Sequence, residues 1–179
     1  MKVLYRILLA VFIIIFVVSG SMLGYNLYQS YKEKSGLEEL AAEVEDTETS
    51  GTGINGNPDV SPEMDEAARL QKYQLLHEKN KDMVGWIKIP NTAVNYPVMQ
   101  TMEENEFYLR RNFQKEYAMS GLPFLDVQSN LGKPSSNFVI YGHNMDNKTM
   151  FYDILKYEEE DYWKKHPIVR FDTLKELGE

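Results

Sequence analysis

From Ile7 to Tyr31 the chain carries no charged side chain, and Ile7 to Val18 is almost wholly aliphatic or aromatic. A stretch of about 20 apolar residues, wound as a helix, crosses a bilayer core of about 30 Å. It satisfies its backbone polar groups internally, which an irregular segment cannot do in lipid. Lys2, Arg6 and the α-amino group precede the stretch and an acidic region follows it. The positive-inside bias then places the N-terminus in the cytoplasm and the bulk of the chain outside. A cleaved signal peptide is the competing reading, because Ser19, Gly20 and Ser21 supply small residues. The uncharged stretch is long for the apolar region of a signal peptide, which favours an uncleaved anchor. The expectation is a cytoplasmic N-terminus at residues 1–6 and a single-pass anchor at 7–31, with the main domain outside the cell membrane.

Beyond the anchor the charge becomes lopsided. Glu33 to Glu66 holds eleven acidic residues against one lysine, Lys34, and this segment accounts for the net charge of −8. The rest of the chain is close to neutral, which argues against a basic surface for nucleic acid. The run TETSGTGINGNPDV is too poor in large apolar residues to order itself, although Glu38 to Ala42 could extend a helix. Residues 32–62 therefore read as an acidic extracellular linker and 63–179 as the folded domain. The chain has no cysteine, so disulfides and thiolate metal sites are excluded.

The domain opens with Ser61-Pro62, an N-cap serine and a first-turn proline. Ala67, Leu70, Tyr73 or Gln74, and Leu76 follow as an imperfect helical stripe suited to covering a barrel. Short strands come next: Trp86 to Ile89, Val94 to Gln100, Leu122 to Leu125, Phe138 to Tyr141 and Ile168 to Phe171. Pro97 hints at an edge or a bulge. Glu103 to Arg111 could form a short helix, and Thr149 to Lys165 has apolar residues at helical spacing ended by Pro167. Spacing alone supports an α+β domain.

The segment NFVIYGHNM, Asn137 to Met145, carries the chemistry. Phe138 to Tyr141 reads as a buried strand, Gly142 ends it, and His143 stands where strand becomes loop, a position suited to a catalytic side chain. By itself such a histidine is structural or catalytic. Its neighbours add to the reading. YGHNM, the stretch MFYDILKYEEEDYWKKHPIVRFDTL, and upstream VGWIKIPNTAVNYPVMQ, YLRRNF and GLPFLD occur in the order found in class B sortases, which this chain closely resembles.

That resemblance implies a mixed sortase-type β-barrel with flanking helices. It also implies a membrane-anchored cysteine transpeptidase of Gram-positive bacteria that needs no cofactor. Such enzymes cleave a C-terminal sorting signal at a threonine and hold the acyl fragment as a thioester. They then pass the surface protein or pilin to an amine of peptidoglycan or to a lysine. In these terms His143 matches the acid/base, Tyr141 a substrate-groove residue, and Asn112 a weaker groove residue for which a turn or helix-end role is equally open. The nucleophilic cysteine and the arginine that stabilises the oxyanion match nothing here, since Arg110, Arg111 and Arg170 lie in earlier segments. The chain accordingly reads as the N-terminal portion of such a domain, inactive alone, with TLKELGE turning toward a further strand. The alternative is a non-catalytic, membrane-tethered module that binds sorting-signal peptides.

Other constellations point elsewhere only weakly. Asp126, His143 and Asp146 lack any metal-ligand spacing, and no GxSxG elbow is present. His77 and His166 read as surface residues, Glu158 to Asp161 as a solvated face, and Trp86 and Trp163 as packing.

Overall fold

A computed structural model describes residues 2–45, 62–132 and 137–178, without the side chains of 62–65. The N-cap expected at Ser61 and the run TETSGTGINGNPDV lie outside the described residues.

Helix α1 (Lys2–Glu45) is unbroken over 44 residues. It is long and apolar enough to cross a membrane, and none of its most apolar window is buried against the rest of the protein. Composition predicts a linker from residue 32, but the helix runs on to Glu45, and the reason is a stripe hidden among the acids. Leu37, Leu40, Ala41 and Val44 recur at one-turn spacing and pack into the domain, with Leu40 and Val44 buried. Acidic side chains flank this seam. Glu43 pairs with Lys79 at 2.7 Å, and Glu45 accepts from Lys88 and from Asn95. Exposed pairs of this kind contribute at most about 1 kcal/mol each. Burying Leu40 and Val44 contributes about 1.5–3 kcal/mol each, so the apolar stripe decides the docking.

Helix α2 (Pro62–Lys79) lays Tyr73 and Leu76 on the sheet, and Tyr73 stacks on Trp86 with ring centroids 5.9 Å apart. The Tyr73 hydroxyl donates to Asp172, which is buried and also lies 3.6 Å from Arg69.

The sheet comprises β1 (Met83–Lys88), β2 (Asn95–Met99), β3 (Phe124–Leu125), β4 (Ile140–Tyr141) and β5 (Arg170–Thr173), in the order β4-β3-β2-β1-β5. The β2–β3 pair is parallel and the others are antiparallel. Alternation along the strands splits the core in two. Trp86, Met99 and Phe124 face α1 and α2, whereas Ile87, Val98 and Leu125 face Met150, Ile154 and Phe171. Pro97 sits in an interior strand without penalty. β2 meets β3 only at Met99, so the missing N–H of Pro97 points where no strand pairs.

Two expectations are corrected. Phe138 to Tyr141 is not a buried strand: only Ile140 and Tyr141 pair, on the sheet's edge, and Phe138, Val139 and Tyr141 are 38–44% exposed. Nor is Thr149 to Lys165 one helix. It is a 3-10 segment, η2 (Phe151–Glu158), followed by α3 (Glu160–Lys165), with Glu159 extended between them. Met150 turns to positive φ so that its N–H reaches the Tyr96 hydroxyl and its side chain is buried. Phe151 N–H is drawn to the His143 carbonyl. These long-range partners outweigh the regular helical start.

The tail turns as expected, and runs back along β5. Gly178 accepts from Phe171 N–H and donates to Asp172.

Asp153 ties η2 to the turn after β1, accepting from Ala93 N–H at 2.8 Å and from Lys156 at 2.7 Å. Burial pushes its carboxyl up, but the Ala93 N–H and the Lys156 ammonium outweigh this and hold it below the usual value. A depressed carboxyl stabilises the fold above its unfolded pKa and loses that contribution as pH falls through the folded one. Urea midpoints measured downward from pH 5 are therefore expected to fall more steeply in the native chain than in Asp153→Ala. At neutral pH that variant is expected to lose about 1.5–3 kcal/mol, the range for a hydrogen bond to a charged group.

Candidate active site

His143 is placed by three restraints. The first is the pairing of β4 with β3, in which Tyr141 lies opposite Phe124. The second is the bond from Phe151 N–H to the His143 carbonyl at 2.9 Å, supported by a bridge between Asn144 and Met150. Gly142 permits this closure, because a Cβ there would stand 2.6 Å from the Phe151 ring. The third restraint acts on the ring itself: Nε2 lies 2.9 Å from the Leu109 carbonyl oxygen. A carbonyl can only accept, so Nε2 carries the proton, and in the neutral ring Nδ1 is the nitrogen left to exchange one.

The Leu109 carbonyl is itself held. Leu109 belongs to η1 (Phe107–Arg110), whose Tyr108 is fully buried. The Tyr108 hydroxyl donates to Asp82 and accepts from Asn80, and burial, seconded by Asp82, pushes its pKa well up. Gly121 packs directly against the segment at φ 56°, where a Cβ would stand 2.3 Å from the Leu109 oxygen.

Tyr141 stands two residues before His143, 44% exposed, with its ring 5.4 Å from that of Phe124. The Asp126 carboxylate beside its hydroxyl raises the phenol pKa, with a smaller contribution from Glu106. Asp126 also accepts from Gln128 N–H and Asn105. The segment from Asn105 to Leu109 thus borders both Tyr141 and His143. The sequence marks it only as a possible short helix, because a backbone carbonyl leaves no side-chain signature.

Asn112 stands in a turn. Its side-chain oxygen accepts from the N–H groups of Gln114 and Glu116 at 3.0 and 2.9 Å. It lines an open cavity of about 650 Å³ against Tyr28, Lys32 and Gly36 of α1, whose lining includes neither Tyr141 nor His143. His77 and His166 are half-buried rather than on the surface; His77 ties the end of α2 to Met83 O at the start of β1, and His166 ties the end of α3 to Pro90 O in the turn after β1. Among the described residues, no three His, Cys, Asp or Glu side chains gather as metal ligands.

Comparison with known proteins shows which family this chain resembles. A sortase domain profile matches residues 87–173. Sortase B of Listeria monocytogenes is 33% identical over 159 residues, covering 89% of this chain and 59% of the relative. Sortase B of Staphylococcus aureus is 32% identical over 172 residues, covering 94% and 62%. The chain carries a class B sortase domain. The solved Staphylococcus aureus sortase B–substrate complex superposes with a TM-score of 0.69 at 27% identity, over 84% of this chain and 62% of that one. The expected α+β, sortase-type fold is therefore the fold observed. The chain spans about three fifths of the length of these relatives. Within this sortase domain, His143 and Tyr141 sit together at the end of β4, and Asn112 lies on the side facing α1.

Proposed function

We propose that this domain serves a cysteine transpeptidase that cleaves C-terminal sorting signals and joins the surface protein or pilin to an amine, of peptidoglycan or of a lysine. The observation that carries this reading is His143, held through Nε2 on Leu109 O with Nδ1 left for proton transfer. Related structures support a peptide donor and an amine acceptor: one is a sortase B–substrate complex and another is sortase B complexed with triglycine.

In this reading a thiolate attacks the carbonyl carbon of the scissile threonine. The C–N bond breaks, the leaving amine takes a proton from His143, and a thioester remains. The acceptor amine then attacks the thioester and gives a proton back to His143 as the thiolate departs. Tyr141, exposed at the rim, forms part of the groove that holds the signal. The thiolate comes from outside these 179 residues, which contain no cysteine. The oxyanion arginine does too: Arg110 and Arg111 donate to the carbonyls of Met119 and Lys115, and Arg170 lies on β5, at the opposite edge of the sheet from β4.

Incubation with sorting-signal peptides and triglycine, read by mass spectrometry, tests the function. The product of the reading frame continued past codon 179 is expected to give an acyl-cysteine and an amine-exchanged peptide. The 179-residue polypeptide is expected to give neither. An acyl adduct on these residues alone would refute the assignment of roles. Peptide binding without turnover by the continued product would favour the non-catalytic binding module.

The reading also includes the anchor, with α1 crossing the cell membrane and the domain outside. Protease added to intact protoplasts is expected to degrade the region beyond residue 62, and protection of that region would reverse the topology.

A further inference from the structure

The domain first touches α1 close to where the anchor leaves the bilayer. Ile7 to Tyr31 is uncharged and spans about 37 Å as a helix, against a hydrocarbon core of about 30 Å, so the last turn emerges into the headgroup layer. Tyr28 and Tyr31 lie there, at the level where amphipathic rings settle. Two residues past Tyr31, the Glu33 carboxylate accepts from Met119 N–H at 2.8 Å and Ser120 N–H at 3.1 Å. The cavity beside these bonds is lined by Tyr28, Tyr31 and Lys32 on one wall and by Asn112, Gln114 and Tyr117 on the other. The hairpin closed by the Arg111–Tyr117 bridge is therefore held at the height of the membrane surface.

Its exposed side chains suit that height. Tyr117 is 66% and Met119 48% exposed, and neither contributes to the core. Arg110 and Arg111 are exposed beside them, and their guanidinium groups donate to backbone carbonyls. Lys32 adds a further positive charge, Lys115 of the hairpin is paired with Asp82, and Glu33, Glu39 and Glu116 are the acids that line the cavity. Apolar and aromatic groups ringed by arginine match an anionic lipid interface.

We propose that the Arg111–Tyr117 hairpin, with Arg110 and Met119, is a second membrane contact, resting in the headgroup layer of the leaflet through which α1 leaves. Tyr117 and Met119 enter the interface, and Arg110 and Arg111 meet lipid phosphates. One consequence is that His143, held on Leu109 O immediately before Arg110, is fixed close above the bilayer instead of swinging on a tether. This inference rests on reading α1 as the anchor.

The absence of cysteine makes the test direct. Single nitroxide labels are placed at Val18→Cys, Gln114→Cys and Trp163→Cys in the 179-residue chain, reconstituted in vesicles of phosphatidylcholine and phosphatidylglycerol. Collision with oxygen, which concentrates in lipid, is compared with collision with a water-soluble nickel chelate. The label at 18 is expected at bilayer depth, the label at 114 at headgroup depth with several-fold less nickel access than at 163, and the label at 163 in water. Adding Tyr117→Ser and Met119→Ser to the 114-labelled chain is expected to restore nickel access. A label at 114 as accessible as that at 163, while 18 stays in the bilayer, overturns the second contact and leaves the anchor standing. An aqueous label at 18 overturns both. Unchanged depth at 114 in the double-serine chain removes the role given to those side chains and overturns the proposal.

Discussion

In a chain continued to include a nucleophilic cysteine, His143→Ala is expected to lower transpeptidation by at least about 10²-fold, because one side chain gives and takes the proton in both half-reactions. The fold is expected to persist. His143 is half-buried and, among the described residues, its side chain makes one hydrogen bond, to Leu109 O, so its loss costs on the order of 1 kcal/mol. Tyr141→Ala is expected to act differently. It removes an exposed ring from the rim and should raise KM more than it lowers kcat. Turnover is to be measured beside melting temperature for both variants. Near-normal kcat in His143→Ala, or a loss explained by unfolding, would show that the histidine is structural.

The second large effect is expected at Gly121, far from any sequence motif for catalysis. Its φ of 56° is left-handed, and a Cβ would stand 2.3 Å from Leu109 O and 2.5 Å from Tyr108 O. A left-handed alanine costs about 1–2 kcal/mol before any contact is counted. The obstacle here is backbone, pinned through buried Tyr108, and cannot swing away. Gly121→Ala is expected to destabilise the chain by roughly 3 kcal/mol or more in urea unfolding, at the upper end of single-residue effects. In the fraction that stays folded, Leu109 O is displaced from Nε2. The nitrogen chemical shifts of the His143 ring should then report a mixture of tautomers in place of a single Nε2–H form. Native stability with an unchanged ring spectrum would show that η1 does not depend on this close approach.

Much of the architecture is legible in the chain because local composition and spacing carry it. The uncharged run of α1, the β-branched and aromatic residues of β1 and β2, and the stripe of Leu70, Tyr73 and Leu76 each state a local geometry that the fold keeps. YGHNM marks where Tyr141 and His143 lie, at the end of β4 and just past it. Composition misleads at residues 32–45. Eleven acids in the wider segment suggest solvation, whereas Leu37, Leu40, Ala41 and Val44 carry a docking stripe that outweighs them. An apolar run likewise does not report its neighbours. Phe138 to Tyr141 has the composition of a buried strand, yet it lies on an edge and is exposed.

The sequence by itself determined the anchor-length helix, the strand-forming segments, and a histidine at the mouth of the last of them before η2. Residue type and spacing are enough for these, since each depends on the chemistry of a few consecutive side chains. Only the tertiary structure decided which ring nitrogen of His143 is bonded to Leu109 O, and that η2 starts where Met150 and Phe151 find partners on Tyr96 and His143. Those outcomes depend on hydrogen bonds between groups distant along the chain. Several involve a backbone carbonyl or N–H, which every residue carries and which therefore leaves no mark in the sequence.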